Sequence, residues 1–220
     1  MLLLTCTAYY GKPARLGTKK SRFRMIDFQK LKQLYKLRRD LSFSDIQDLL
    51  KNSKAVSFAP GELLIKEGQL RKEVFWVRKG LVRGFRVTEK GEEITTMFRW
   101  EDQAFASPNL ILFDEPALQY FETLEPTEVF KIDYDKVQTI IKNNPKLEAN
   151  RVIILQNTLK EALQRIDSFL LLSPEERYLD FIRTNPDISN RVPNKYLANV
   201  LGITPVSLSR IRKRVASKKS

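Results

Sequence analysis

The sequence predicts an α+β protein: an N-terminal β-sandwich of the jelly-roll kind with flanking helices, a long dimerisation helix, and a C-terminal helix-turn-helix unit. Three observations carry this. Hydrophobic residues recur with a period near two from Lys54 to about Asp135, the period returns to three and four after Asn144-Pro145, and residues 191–220 are basic without a single acid. The expected divisions are a basic, disordered leader at 1–24, the sandwich with its N-terminal helices at 25–144, the dimerisation helix at 145–172 and the helix-turn-helix unit at 173–220.

Each element has a local reason. "IDFQKLKQLYKL" at 26–37 places apolar residues at helical intervals, and "SFSDIQDLLKN" at 42–52 repeats the signal behind a Ser42 or Ser44 cap. The segments "AVSFA", "LLIKE", "VFWVRKG", "LVRGFRVT", "ITTMFRW", "QYFETLE" and "VFKID" follow as short strands separated by glycine-containing turns. Beyond Pro145, Val152, Leu155, Leu159, Ala162, Ile166 and Phe169 alternate three and four apart, the seam of a coiled coil between two copies of the chain. Ile154, Leu163 and Leu170 form a neighbouring stripe expected to pack on the sandwich. Ser173-Pro174-Glu175-Glu176 supplies an N-cap, a proline at the first helical position and a glutamate at the third, so a new helix starts there.

Composition narrows the chemistry. The chain has no histidine and one cysteine, Cys6, so a serine-histidine-aspartate triad, a histidine-bearing zinc site and a cysteine-ligated cluster have no ligands or bases to draw on. No phosphate loop of the GxxxxGK[ST] kind is present either. We expect no enzyme activity, no metal and no cofactor. No apolar run approaches the roughly 18 residues of a membrane span and "MLLLTC" lacks a basic flank, so neither a membrane partner nor secretion is expected and the location is read as cytoplasmic. Residues 1–24 hold six basic side chains and residues 191–220 hold eight, with no acid in either, whereas the middle of the chain is close to neutral. The ends are built to face a polyanion.

Residues 194–213 turn that charge into a geometry. Leu197 and Leu201 lie one turn apart on a buried face, Ala198 is small where a second helix must approach, and Gly202 suits the left-handed turn that ends the first helix. Ile203 plugs the core between the helices, Thr204 caps the second, Pro205 occupies its first position, and Leu208 and Ile211 continue the buried stripe. The remaining face is assigned to double-stranded DNA. Pro205, Val206, Ser209 and Arg210 face bases, with Arg210 bidentate to a guanine and Val206 against a thymine methyl; Lys195, Thr204, Ser207, Lys213 and Arg214 face phosphates. The competing reading is a protein-association module with only non-specific nucleic-acid binding, which does not require the Ala198, Gly202 and Leu208 pattern.

"PGELLIKEG" at 60–68, "VFWVRKGLVRGF" at 74–85, "SPEERYLDFI" at 173–182 and "VPNKYLANVLGITPVSLSRIRK" at 192–213 together resemble the Crp/Fnr superfamily of bacterial regulators, in the form found in Bacteroidetes-type bacteria. The resemblance covers about residues 45–215. It implies a cyclic-nucleotide-binding-like sandwich, a homodimer on a two-fold-related DNA site and contact with RNA polymerase. The chain departs from the family where the ligand binds. Ala106 and Ser107 stand where cyclic-nucleotide binders carry Gly-Glu, and Ala117 and Leu118 stand where they carry an arginine and its hydroxyl neighbour. Without a guanidinium the cyclic phosphate loses its charge-assisted partner, so no response to cyclic AMP is expected. The sandwich holds either no ligand or a more apolar one in a pocket formed by Phe85, Met97, Phe98, Phe105 and Tyr120.

Overall fold

The structure, a computed structural model, describes residues 42–217. The leader at 1–24, the helix expected over 26–37 and the terminal Lys218 and Lys219 lie outside the described residues. Helix α1 (Phe43–Lys51) opens the described chain with a capping box in which Ser42 and Asp45 exchange hydrogen bonds. Those bonds hold the Asp45 carboxyl at about 2.

Eight strands follow: β1 (Lys54–Phe58), β2 (Leu63–Ile65), β3 (Glu73–Lys79), β4 (Leu81–Val87), β5 (Glu93–Trp100), β6 (Ala104–Phe105), β7 (Tyr120–Thr123) and β8 (Thr127–Asp133). They form two antiparallel four-stranded sheets, in the order β1-β8-β3-β6 and β2-β7-β4-β5. Alternation drives the packing. Phe75 and Val77 of β3 and Val129 of β8 meet Ile65, Val82 and Phe121 of the other sheet, with Phe105 stacked on both Phe75 and Phe121. The two-residue β6 and the single π-helical turn at Asn109–Phe113 carry no periodic signal, because neither is long enough to show one.

A short helix α2 (Tyr134–Lys142), which the sequence reading leaves unassigned, follows β8, and four more helices complete the described chain. Helix α3 (Pro145–Leu171) is capped by Asn144 and runs unbroken for 27 residues, and α4 (Pro174–Thr184) starts in the expected capping box of Ser173 and Glu176. Helices α5 (Asn194–Leu201) and α6 (Pro205–Ser217) end the chain. The stripe of Ile154, Leu163 and Leu170 does not pack on the sandwich: all three are exposed, and Leu147 and Asn150 are the buried residues of α3.

The sandwich and the C-terminal helices share a core. Leu81 and Phe98, on the outer face of the second sheet, pack with Tyr178, Ile188, Leu197, Leu201, Leu208 and Ile211, and α5 lies on β5. This explains why β4 is buried on both faces from Leu81 to Phe85. Arg191 joins the two parts from the side. Its guanidinium binds Glu101 through two hydrogen bonds of 2.8 and 3.0 Å and reaches Glu125 at 2.5 Å. Burial pushes the Glu101 carboxyl up, but hydrogen bonds from Arg191 and the Gly80 amide outweigh it and hold the group below its ordinary 4.5. A depressed carboxylate contributes stability above its unfolded value and loses it as pH falls through the folded one. The pair is partly exposed, so its contribution is about 1 kcal/mol. Glu101→Gln is therefore expected to lower the melting temperature at neutral pH and to flatten the acid limb below 4.5. Parallel acid limbs in the two proteins would remove Glu101 from this role.

Candidate nucleic-acid interface

The end of α5 fixes how α6 is presented. Gly202 has φ +65°, its N–H donates to the Asn199 carbonyl, and the Ile203 N–H donates to the Ala198 carbonyl at 3.0 Å. These are the two bonds of a Schellman turn, which uses two of the four carbonyls that a helix end leaves without partners. Side chains from elsewhere take the other two. Arg165 of α3 donates to the Val200 carbonyl at 3.3 Å, and Arg177 of α4 donates to the Leu201 carbonyl at 3.0 Å. The Thr204 hydroxyl then accepts from the Ser207 N–H at 3.1 Å, capping α6 as its sequence position requires.

Helix α6 buries Leu208, Ile211 and Val215 against Leu197, Ala198 and Leu201. Its other face is open. Pro205, Val206, Ser209, Arg210 and Lys213 are exposed, as are Lys195 and Thr204, and Val206 is an aliphatic side chain left 61% accessible. Arg210 and Lys213 form no ion pair among the described residues. Arg191, Arg212 and Arg214 have structural partners instead. Arg191 holds Glu101 and Glu125, Arg212 donates to Asn194 and Ser189 and lies over the Tyr178 ring, and Arg214 pairs with Glu175 at 2.6 Å. Arg214 is thus turned towards α4 instead of standing free for a phosphate, because Glu175 in the first turn of α4 offers it a carboxylate. Sequence charge alone does not separate these two groups of arginines.

The seam residues Val152, Leu155, Leu159, Ala162 and Ile166 are all exposed along α3. Phe169 is exposed as well but also has a neighbour in the C-terminal unit. Its ring lies against Gly202, between the guanidinium groups of Arg165 and Arg177 at 5.6 and 5.1 Å from its centroid. It serves the junction with α5, since it sits at the helix end where the C-terminal unit folds back.

The five residues expected to line one pocket are not brought together. Phe105 belongs to the core of the sandwich and Met97 packs against that core, whereas Phe98 faces outward and meets Phe181 edge to face. Phe85 stacks on Tyr120, also on the outer face, beside Arg83. Strand alternation divides them between the two faces, since Met97 lies opposite Gly84 and its neighbour Phe98 opposite Arg83. At the positions where the family resemblance places a phosphate clamp, Ala117 is fully buried with its backbone bonded to Gly68 and Gln69. Leu118 is exposed there, and Ser107 is buried with its hydroxyl unpartnered among the described residues. No helix among the described residues is long and apolar enough to cross a membrane.

Comparison with known proteins agrees with this architecture. Residues 55–144 match the cyclic nucleotide-binding domain family. The chain is 25% identical over 187 residues to the electron transport regulator A of Shewanella oneidensis, covering 76% of this chain and 69% of that protein. It is 23% identical over 162 residues to the fumarate and nitrate reduction regulatory protein of Vibrio cholerae, covering 69% and 64%. Among solved structures, FixK2 of Bradyrhizobium japonicum superposes with a TM-score of 0.65 at 15% identity, over 76% of this chain and 86% of that one. Residues 55–144 thus resemble the cyclic nucleotide-binding domain family, and over about three quarters of its length the chain is similar to bacterial regulatory proteins.

Proposed function

We propose that the protein is a sequence-specific transcriptional regulator that binds double-stranded DNA as a homodimer and does not respond to cyclic AMP. The observation that carries this is the pairing of a Schellman-turned α5–α6 unit with an exposed α6 face on which Arg210 and Lys213 have no ion-pair partner among the described residues. Arg210 reads a guanine, Val206 a thymine methyl, and Pro205 and Ser209 flank them; Lys195, Thr204, Ser207 and Lys213 lie along phosphates. Homologues that are transcription regulators support the class. The uncovered apolar stripe of α3 supports the dimer, since a monomer rarely leaves such a run in water.

Selection from a randomised duplex pool at fixed salt, with wild type and Arg210→Ala side by side, tests the reading. Wild type is expected to enrich a palindrome, and Arg210→Ala to lose about 1–3 kcal/mol of discrimination at one symmetric pair of positions. Equal, salt-sensitive binding of all sequences by both proteins would reject it in favour of non-specific neutralisation of phosphates. The ligand claim has its own check. A ligand at a hundredfold excess over its Kd raises stability by about 2.7 kcal/mol. Millimolar cyclic AMP is expected to leave the melting curve unchanged, and a clear upward shift would overturn the claim.

A further inference from the structure

The sandwich, the long helix and the C-terminal unit meet at one irregularity in β5. Gly84 pairs with Met97 and Phe85 pairs with Thr95, so Thr96 has no opposite residue on β4. A bulge of this kind takes backbone groups out of the ladder and leaves them to be bonded elsewhere. The Thr95 N–H donates to the side-chain carbonyl of Asn199 on α5 at 3.2 Å, and the Thr96 carbonyl accepts from Arg165 on α3 at 2.6 Å. The Thr96 hydroxyl returns to the Gly84 carbonyl at 3.1 Å and holds the bulge in shape.

Arg165 is the common member. One arm of its guanidinium binds the bulge and the other binds the Val200 carbonyl at the end of α5. The planar fork of an arginine fixes two such acceptors at a set separation, which a flexible ammonium does not do. Phe169, one turn further along α3, seats on Gly202 in the turn that leads to α6. Helix α3, the β5 bulge and the end of α5 are thereby tied by directional bonds, not by apolar contact alone.

We infer that Arg165 and Asn199 are positioning residues that set the angle of α5–α6 relative to α3, and through it the spacing between the two DNA half-sites that a dimer reads. The inference rests on the dimeric DNA-binding function proposed above. In a dimer joined along α3, the separation of the two α6 helices depends on that angle, and half-sites lie about 34 Å apart per helical turn of DNA. A network that bonds α5 to both α3 and the sandwich is suited to keep the separation constant. Neither residue is assigned to DNA, so their loss leaves the reading of each half-site intact.

The test is binding of the full chain to duplexes carrying two copies of the selected half-site at varied spacings. Wild type is expected to prefer one spacing on the order of tenfold, and Arg165→Met and Asn199→Ala to flatten that preference to about threefold or less without losing affinity for a single half-site. Asn199→Asp, which keeps the acceptor oxygen, is expected to retain the wild-type profile. A wild-type profile in both Arg165→Met and Asn199→Ala, or a flattened one in Asn199→Asp, overturns the inference. Hydrogen exchange of the same proteins without DNA gives a separate readout: the β5 peptide containing Thr95 should exchange faster in the first two variants, and an unchanged rate also overturns it. If wild type selects no DNA motif, the functional reading and the spacing role fall together, and exchange alone then decides whether the two residues fix the unit on the sandwich.

Discussion

Gly202→Ala is expected to destabilise the C-terminal unit and abolish its binding to DNA. Two costs act at this position. The residue sits at φ +65°, where an L side chain costs about 1–2 kcal/mol, and a Cβ there would lie 2.5 Å from Cε1 of Phe169. Phe169 is 42% exposed, so its ring can swing aside and the contact adds about 1 kcal/mol or less, below the cost of overpacking a core. Both shift the Schellman turn that sets α6 behind α5. For a chain of this size each kcal/mol lowers the melting temperature by about 2–4 °C, so the change is readily measured. Phe169→Ala in the same background should recover the contact cost and leave the backbone cost, giving a coupling between the two sites. A melting temperature equal to wild type in Gly202→Ala would show that the turn does not have this geometry.

Arg83→Met is expected to have a comparable effect through a different mechanism. Arg83 is 2% exposed, donates to Glu122 and Glu93 at 2.6 Å each, and sits 4.1 Å from the centroids of both Phe85 and Tyr196. Burial pulls the guanidinium pKa down, yet the hydrogen bonds it donates to Glu93 and Glu122 more than reverse this, so the group stays charged between the sandwich and α5. Removing one member of a buried pair costs about 3–5 kcal/mol, and the partial exposure of both glutamates places this case at the low end. The loss should appear as lower thermal stability together with faster hydrogen exchange in α5, since Tyr196 belongs to α5. Lysine at this position should restore little, because an ammonium cannot bond two carboxylates and stack on two rings at once. Stability in Arg83→Met within about 0.5 kcal/mol of wild type would place the pair among surface interactions of no consequence.

Much of the molecule is legible in local chemistry. The period-two runs give seven of the eight strands, the three-four spacing gives α3, and Ser173-Pro174-Glu175-Glu176 gives the start of α4. The turn between α5 and α6 is the clearest case. Small, left-handed and β-branched residues at Ala198, Gly202 and Ile203 each satisfy a steric condition that few other side chains meet, so the unit is readable without its surroundings. The two-residue β6 and the π-helical turn are too short for a period, and their position is set by what they pair with.

What the sequence determined by itself is the order of its elements and the residues that α6 exposes, because both follow from periodicity and from backbone preferences that act over a few residues. The tertiary structure alone decided how the parts are joined. Leu81 and Phe98 read as sandwich residues but belong to the core of the C-terminal unit, and Arg191, Arg212 and Arg214 read as free cations but are bound to Glu101 and Glu125, to Asn194, and to Glu175. Phe85 and Phe98 face outward by strand alternation, Phe98 opposite Arg83 and Phe85 two residues further along β4, and that this outer face is covered by the C-terminal unit is decided only by the packing. Contacts between residues distant along the chain depend on which surfaces meet after folding, and no local pattern encodes that choice.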